Sequence, residues 1–127
     1  MLFGVSRLPD ELIQHLREPR HVGRPEGEPL LRGEASNPAC RDLLVLFLVP
    51  ADDGTVARAG FQATGCPACL AMAAVAAEHA HGLKLDAGLP DALVSAHHAA
   101  FGEPAGLHRH ALKLVTEAAA QAVIAIG

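Results

Sequence analysis

The residues most capable of chemistry in this chain are three cysteines, Cys40, Cys66 and Cys69, and one nearby carboxylate, Asp42. Cys66 directly precedes Pro67, a residue suited to the first turn of a helix, where unpaired N–H groups stabilise a thiolate. A thiolate in that position can bind a metal or attack sulfur. The alternative is that Cys66 is simply a small buried side chain, as many free cysteines are.

Cys40 and Asp42 lie in a turn, Ser36–Asp42, that leads into an apolar strand-like segment. Residues two apart in a strand point to the same side, so both side chains can face one site. A thiolate and a carboxylate together suit zinc or iron, and the hard oxygen would make a soft iron–sulfur cluster easier to release. The alternative is that Asp42 only caps the turn.

The elements that must position these residues can be read from the hydrophobic pattern. Helical spacing predicts an N-terminal helix, followed by a mostly irregular arm, 19–37, with a short strand near Leu30–Ala35. Two strand-like segments around the turn-rich Pro50–Gly54 predict an antiparallel hairpin. The segments concerned are helices over Pro9–Glu18, Pro67–His81, Pro90–Phe101 and about His108–Ile126, and strands over Leu43–Val49 and Val56–Ala63.

Length and composition predict a single domain over residues 1–127, because half of its residues are hydrophobic and can bury a core. A helix, short strands and then more helices indicate an α+β fold, with a small antiparallel sheet of about three strands and helices packed on one face. The formal charge is −4 without a basic run, so nucleic acid is an unexpected partner.

The N-terminal segment, Met1–Leu16, lacks the pattern of a secretion signal, and Asp10 and Glu11 disfavour a transit peptide. The longest apolar run, Leu43–Pro50, is far shorter than the roughly 20 residues that cross a bilayer. We therefore expect a cytoplasmic protein without a membrane partner, whose cysteines are ligands or reactive thiols rather than disulfides.

Three ordered motifs resemble the IscU/NifU-type scaffolds on which iron–sulfur clusters are assembled. His15-Leu-Arg-Glu-Pro-Arg-His-Val-Gly23 is similar to the family's His-Tyr-x-Asn-Pro-Arg-Asn-Val-Gly signature. Asn37-Pro-Ala-Cys-Arg-Asp42 resembles its Asn/Ala-Pro-x-Cys-Gly-Asp motif, and Phe61-Gln-Ala-Thr-Gly-Cys66 resembles the segment around its second ligand cysteine. The likeness extends over nearly the whole chain.

The resemblance implies a three-stranded sheet with helices against it and a surface site of three cysteines, an aspartate and a histidine. Cys40, Asp42 and Cys66 take the first three ligand places. Such scaffolds are not enzymes: they receive sulfur from a cysteine desulfurase, build a labile [2Fe–2S] cluster from iron and sulfide, and transfer it to acceptor apo-proteins. Many of them also bind zinc.

The chain departs from the family pattern at the third ligand cysteine, because no cysteine follows position 69. His108 or His110 can complete a Cys/Asp/Cys/His zinc site, and the two alignments leave both open. Cys69, one helical turn from Cys66, is either a substitute thiolate or a core residue. Arg41 replaces the family's glycine, and the chaperone-recognition segment Leu-Pro-Pro-Val-Lys is absent, so binding of that chaperone is not predicted.

Two alternative functions remain open at this stage. Cys66-Pro-Ala-Cys69 also matches a thioredoxin-like dithiol oxidoreductase motif, although the order of predicted strands does not suit that fold. A zinc-binding or degenerate scaffold that regulates a cysteine desulfurase would need no third thiolate. The remaining helix histidines have no ligand partners at suitable spacing, so we expect them to face solvent: His79, His81, His97 and His98.

Overall fold

A computed structural model describes residues 22–37, 41–104 and 106–124, and the helix predicted over Pro9–Glu18 lies outside them. Three strands precede three helices in this part of the chain. None of the helices in these ranges is long and apolar enough to span a membrane. The elements are Leu31–Asn37 (β1), Asp42–Pro50 (β2), Val56–Thr64 (β3), Pro67–Ala80 (α1), Leu89–Phe101 (α2) and Leu107–Ile124 (α3).

The strands form one antiparallel sheet in the order β1-β2-β3, which confirms the predicted hairpin and the short strand before it. Asp53 stabilises the turn between β2 and β3. Its Oδ1 accepts hydrogen bonds from the Thr55 N–H at 3.0 Å and from the Thr55 hydroxyl at 2.6 Å. The register pairs Asn37 with Asp42, and Leu43 with Thr64. The end of β1, the start of β2 with Asp42 and the end of β3 before Cys66 therefore lie together at one end of the sheet.

The core lies between the sheet and the three helices. Alternate residues of β2 point into it, and Leu44, Leu46 and Leu48 are fully buried. Most of the buried residues of helix α1 are alanines, and every alanine of the helix is buried, which allows a close approach of helix to strand. The predicted α+β class, with helices on one face of a three-stranded antiparallel sheet, is confirmed.

Helix α3 packs against β1 at very short range. A Cβ atom at Gly33 would overlap the Ala118 carbonyl oxygen and lie 2.7 Å from the Ala122 nitrogen, so only glycine fits there. One turn away, the Gln121 Oε1 accepts a hydrogen bond from the Glu34 N–H at 2.6 Å, which satisfies an edge-strand donor. These contacts fix α3, and with it His108 and His110, relative to the sheet.

The expectation that the helix histidines face solvent is wrong for His97, which is only 3% exposed. Its ring packs on Phe101 with centroids 5.1 Å apart. Burial is the main reason that the pKa of His97 is lowered to about 4, and positive charge on His79, His98 and His108 contributes the rest of this shift. His97 is therefore a neutral packing residue at pH 7, whereas His81 and His98 are exposed as expected.

The buried His97 predicts a loss of stability on acidification. Its pKa is lower in the folded chain than the ordinary 6.5, so the unfolded chain binds the proton more tightly. The stabilisation is complete above pH 6.5 and is lost as the pH falls towards about 4. Urea unfolding across this range should show a flatter profile for His97→Leu than for wild type. The exposed His81 supplies the control, since His81→Leu should keep the wild-type slope; equal slopes in all three would contradict the assignment.

Candidate metal centre

Asp42 is held at the start of β2 by an unusual backbone conformation in the residue before it. Arg41 has a φ of 57°, in the left-handed region that glycine adopts easily and other residues adopt at a cost of about 1–2 kcal/mol. Arg41 is exposed, whereas Asp42 is only 6% exposed. The chain therefore turns sharply at Arg41, and the Asp42 carboxylate that follows is buried.

The Asp42 carboxylate binds Cys66, which is 24 residues away in the sequence. Asp42 Oδ1 accepts a hydrogen bond from the Cys66 N–H at 2.8 Å, and Oδ2 accepts one from the Cys66 thiol at 3.5 Å. Cys66 is the N-cap residue of α1, with an extended backbone and no capping bond from its own side chain. Asp42 thus takes the place that a glutamate has in a capping box, where a carboxylate reaches the N-cap N–H.

Gly65 makes this close approach possible. Its φ is 124°, and a Cβ atom there would overlap Asp42 Oδ1 and lie 2.8 Å from the Asp42 Cα. Any side chain at position 65 would push the carboxylate away from Cys66. The Thr64-Gly-Cys66 turn from β3 into α1 is therefore shaped around Asp42.

Cys69 lies below Cys66 in the core and is fully buried. Its N–H donates a hydrogen bond to the Cys66 carbonyl oxygen at 3.0 Å, which closes the first turn of α1. Burial is the main reason that the pKa of Cys69 is raised to about 12, and negative charge on Asp42 and Cys66 contributes the rest of this shift. Cys69 is thus a neutral thiol that adjoins the pair without reaching solvent.

The remaining candidate ligands are Cys40, His108 and His110. Cys40 is outside the described residues, two positions before Asp42. His108 and His110 are in the first turns of α3, half-buried and exposed respectively. Within 22–37, 41–104 and 106–124, no three His, Cys, Asp or Glu side chains are grouped closely enough to hold a metal ion. In the described part of the chain, Asp42 and Cys66 are in contact and Cys69 lies on the core side of Cys66. Neither His108 nor His110 forms a three-ligand group with them.

The donor chemistry of the pair suits a thiophilic cation. Asp42 offers a hard carboxylate oxygen, and the half-exposed Cys66 offers a soft sulfur, at 3.5 Å from each other. Zinc and ferrous iron accept both kinds of donor, and a cation would replace the thiol proton that the two atoms now share. Two further donors are needed for a tetrahedral site. The sequence predicted Asp42 and Cys66 as site residues separately, but it did not predict the hydrogen bonds between them. The glycine directly before Cys66 is the one local signal of this close approach.

Comparison with known proteins gives a consistent family. The model of the NifU-like N terminal domain matches residues 8–126. The scaffold protein "IscU 1" of Archaeoglobus fulgidus is 31% identical over 80 residues, which are 63% of this chain and 51% of that protein. The iron–sulfur cluster assembly scaffold protein IscU of Escherichia coli K12 is 30% identical over 79 residues, 61% of this chain and 62% of that protein. The chain thus spans about half to three fifths of the length of these relatives.

Solved structures show the same fold. A NifU-like N-terminal protein from Brucella abortus superposes with a TM-score of 0.65 at 15% identity, covering 93% of this chain and 92% of the other. A protein described as a putative SUF-system scaffold, from Fervidobacterium islandicum, superposes with a TM-score of 0.62 at 13% identity, covering 91% and 96%. At these identities the likeness extends to the arrangement of helices and strands.

The hydrogen bonds of Asp42 predict a structural as well as a ligand role for its carboxylate. Asp42→Ala leaves the Cys66 N–H without its acceptor and should lower the free energy of unfolding of the metal-free protein by about 1–3 kcal/mol. Asp42→Asn keeps an oxygen acceptor and should cost less. The exposed Asp52→Ala is the matched control and should change little. Urea unfolding measures all three, and an Asp42→Ala variant as stable as Asp52→Ala would contradict the capping role.

Proposed function

The chain belongs to the NifU-like N-terminal domain family, and on that premise we propose that it is a scaffold for the assembly of iron–sulfur clusters. The family match covers nearly the whole chain, 8–126. Relatives from an archaeon and a bacterium are named as iron–sulfur cluster assembly scaffold proteins. The single structural observation that supports the proposal best is the buried Asp42 carboxylate, which is hydrogen-bonded to the half-exposed Cys66 at one end of the sheet.

The cluster, or the iron from which it is built, is the cargo of the site rather than a permanent part of the protein. Cys40, Asp42 and Cys66 would hold it, and His108 or His110 would supply the fourth donor. A cysteine desulfurase would deliver sulfur, and a [2Fe–2S] cluster would pass to acceptor apo-proteins. A carboxylate ligand suits release, because a hard oxygen binds a soft cluster less strongly than a thiolate does.

Loading requires the thiol proton of Cys66 to leave. Asp42 Oδ2 is the nearest acceptor described for that proton, at 3.5 Å from the sulfur. The carboxylate can take the proton as the sulfur binds iron and return it to water, since Cys66 is partly exposed. Asp42 would therefore act twice, first as the proton acceptor and then as an oxygen ligand. The partly exposed site leaves the cargo open to a partner protein.

A zinc-binding or degenerate scaffold that regulates a desulfurase is the second candidate. One specific observation favours it: the start of α3 carries His108, Arg109 and His110, and the chain has no cysteine after Cys69. Two thiolates, a carboxylate and an imidazole form an ordinary zinc donor set. This candidate predicts one tightly bound zinc ion and no coloured cluster under conditions in which a scaffold would build one.

Anaerobic reconstitution with ferric iron and sulfide separates the two candidates. The wild type should develop the visible absorption of a [2Fe–2S] cluster with matching bound iron and sulfide. Cys40→Ala and Cys66→Ala should lose most of this absorption. Loss of a residue that only hydrogen-bonds to a ligand lowers metal affinity roughly 10–100-fold, and loss of the ligand itself should lower it more. Of His108→Ala and His110→Ala, the variant that loses cluster identifies the fourth ligand.

The exposed His98 on α2 gives the control, since His98→Ala should reconstitute like wild type. Stoichiometric zinc that iron and sulfide cannot displace would favour the regulatory candidate. A wild-type chain that binds neither iron nor zinc would contradict both.

A further inference from the structure

Cys66 and Cys69 form a pair of thiols within the first turn of α1. Cys66 is the N-cap residue, and the Cys69 N–H donates to the Cys66 carbonyl oxygen at 3.0 Å. Side chains three residues apart on a helix are neighbours, about 5–6 Å apart at Cβ. Disulfide-linked cysteines have Cα atoms about 4.4–6.8 Å apart, a separation that one helical turn provides with little backbone movement.

The two thiols differ in access. Cys66 is partly exposed, whereas Cys69 has no exposed surface and is part of the core. A sulfur donor from outside can therefore reach Cys66 but not Cys69. Within the described residues, Cys66 is the thiol that shares a helical turn with Cys69, so an electrophile formed on Cys66 is within reach of Cys69.

We propose that Cys69 resolves a persulfide on Cys66 and so releases its outer sulfur as sulfide within the site. The inference rests on the proposed function, which has sulfur delivered to this site. It adds an activity, persulfide reduction, and it assigns to Cys69 a role other than that of a metal ligand.

The step is balanced without an outside reductant. The Cys69 sulfur attacks the Cys66 Sγ, a bond forms between these two sulfur atoms, and the bond from Cys66 Sγ to the outer sulfur breaks. The electron pair of that bond leaves with the outer sulfur, which takes the Cys69 thiol proton and departs as hydrogen sulfide. The outer sulfur is reduced by two electrons, and the two cysteines are oxidised to a disulfide. A dithiol reductant then restores both thiols for the next round.

The position of Cys69 selects the sulfur that is attacked. Cys69 lies on the core side of Cys66, whereas an outer sulfur on the partly exposed Cys66 extends towards solvent. The inner sulfur is thus the nearer target, and attack there expels sulfide instead of moving the persulfide to Cys69. Asp42, which is proposed to hold iron, is close to the point of release, since its Oδ2 lies 3.5 Å from the Cys66 sulfur.

A single-turnover experiment tests the step directly. The full chain carries Cys40→Ser so that Cys66 and Cys69 are the only thiols. The reduced protein is loaded anaerobically with glutathione persulfide, desalted and incubated without reductant. Sulfide is quantified, and the protein mass is followed. The Cys66/Cys69 chain should release one sulfide per sulfur loaded and end two hydrogens lighter than the reduced chain, with the two cysteine peptides linked.

Cys69→Ser, in the same Cys40→Ser background, should keep its extra sulfur and release sulfide only at background level. Ala68→Ser, a buried neighbour that gains the same hydroxyl group without loss of a thiol, controls for disturbed packing and should release sulfide fully. Thermal melting of each variant checks that it is folded, and Cys69→Ala replaces Cys69→Ser if the hydroxyl unfolds the helix. Undiminished release by the Cys69 variants, or a stable persulfide in the parent chain, would overturn the proposal.

A second arm keeps Cys40 and supplies iron with free inorganic sulfide, which bypasses the persulfide. Cys69→Ser should then build a cluster as well as wild type does. If Cys69→Ser fails here while wild type succeeds, Cys69 is a ligand and the resolving role is overturned. If wild type itself fails here, the scaffold proposal fails, whatever the single-turnover result.

Discussion

The hydrogen bonds between Asp42 and Cys66 are the constraint on which the site depends. They join the first residue of β2 to the N-cap of α1, across 24 residues of sequence, through one buried carboxylate. Two backbone features permit them: the left-handed conformation of Arg41, which turns the chain into β2, and Gly65, which leaves room for the carboxylate. A buried carboxylate is costly unless its oxygens are satisfied. The same arrangement therefore stabilises the turn in the metal-free protein and holds a hard and a soft donor side by side.

The packing of α1 connects this pair to the core. The alanines of α1 let the helix lie close to β3, so its first turn begins directly at the end of that strand. In this turn Cys69 is buried and Cys66 is partly exposed. Helix α3 is fixed independently by its contact with Gly33 of β1, and it carries His108 and His110 in its first turns. The candidate donors Asp42, Cys66 and the two histidines thus belong to separate, well-packed elements. Cys40 comes two residues before Asp42 in the sequence.

Much of the fold could be predicted because its signals are local. The apolar run from Leu43, the Pro50–Gly54 turn and the alanine-rich segment after Pro67 specify strand, hairpin and helix within short windows. Asp42 and Cys66 could be nominated by type and spacing, but their mutual hydrogen bonds depend on tertiary contacts that no periodicity encodes. His97 shows the same limit, because a polar residue in a short helix gives no sign of which face turns inward. The sequence left open whether Cys69 is a substitute thiolate or a core residue, and its burial could not be predicted because it depends on how α1 packs against the sheet.

The most direct test of the scaffold function is cluster transfer. The protein is reconstituted anaerobically, freed of iron and sulfide, and mixed with an apo-ferredoxin of the [2Fe–2S] type in the presence of a chelator that captures free iron. Circular dichroism in the visible range distinguishes the cluster on donor and acceptor. The proposed function predicts that the acceptor gains its cluster while the donor loses its own, faster than from iron and sulfide alone. A cluster that stays on the donor, or reaches the acceptor only when the chelator is omitted, would contradict it.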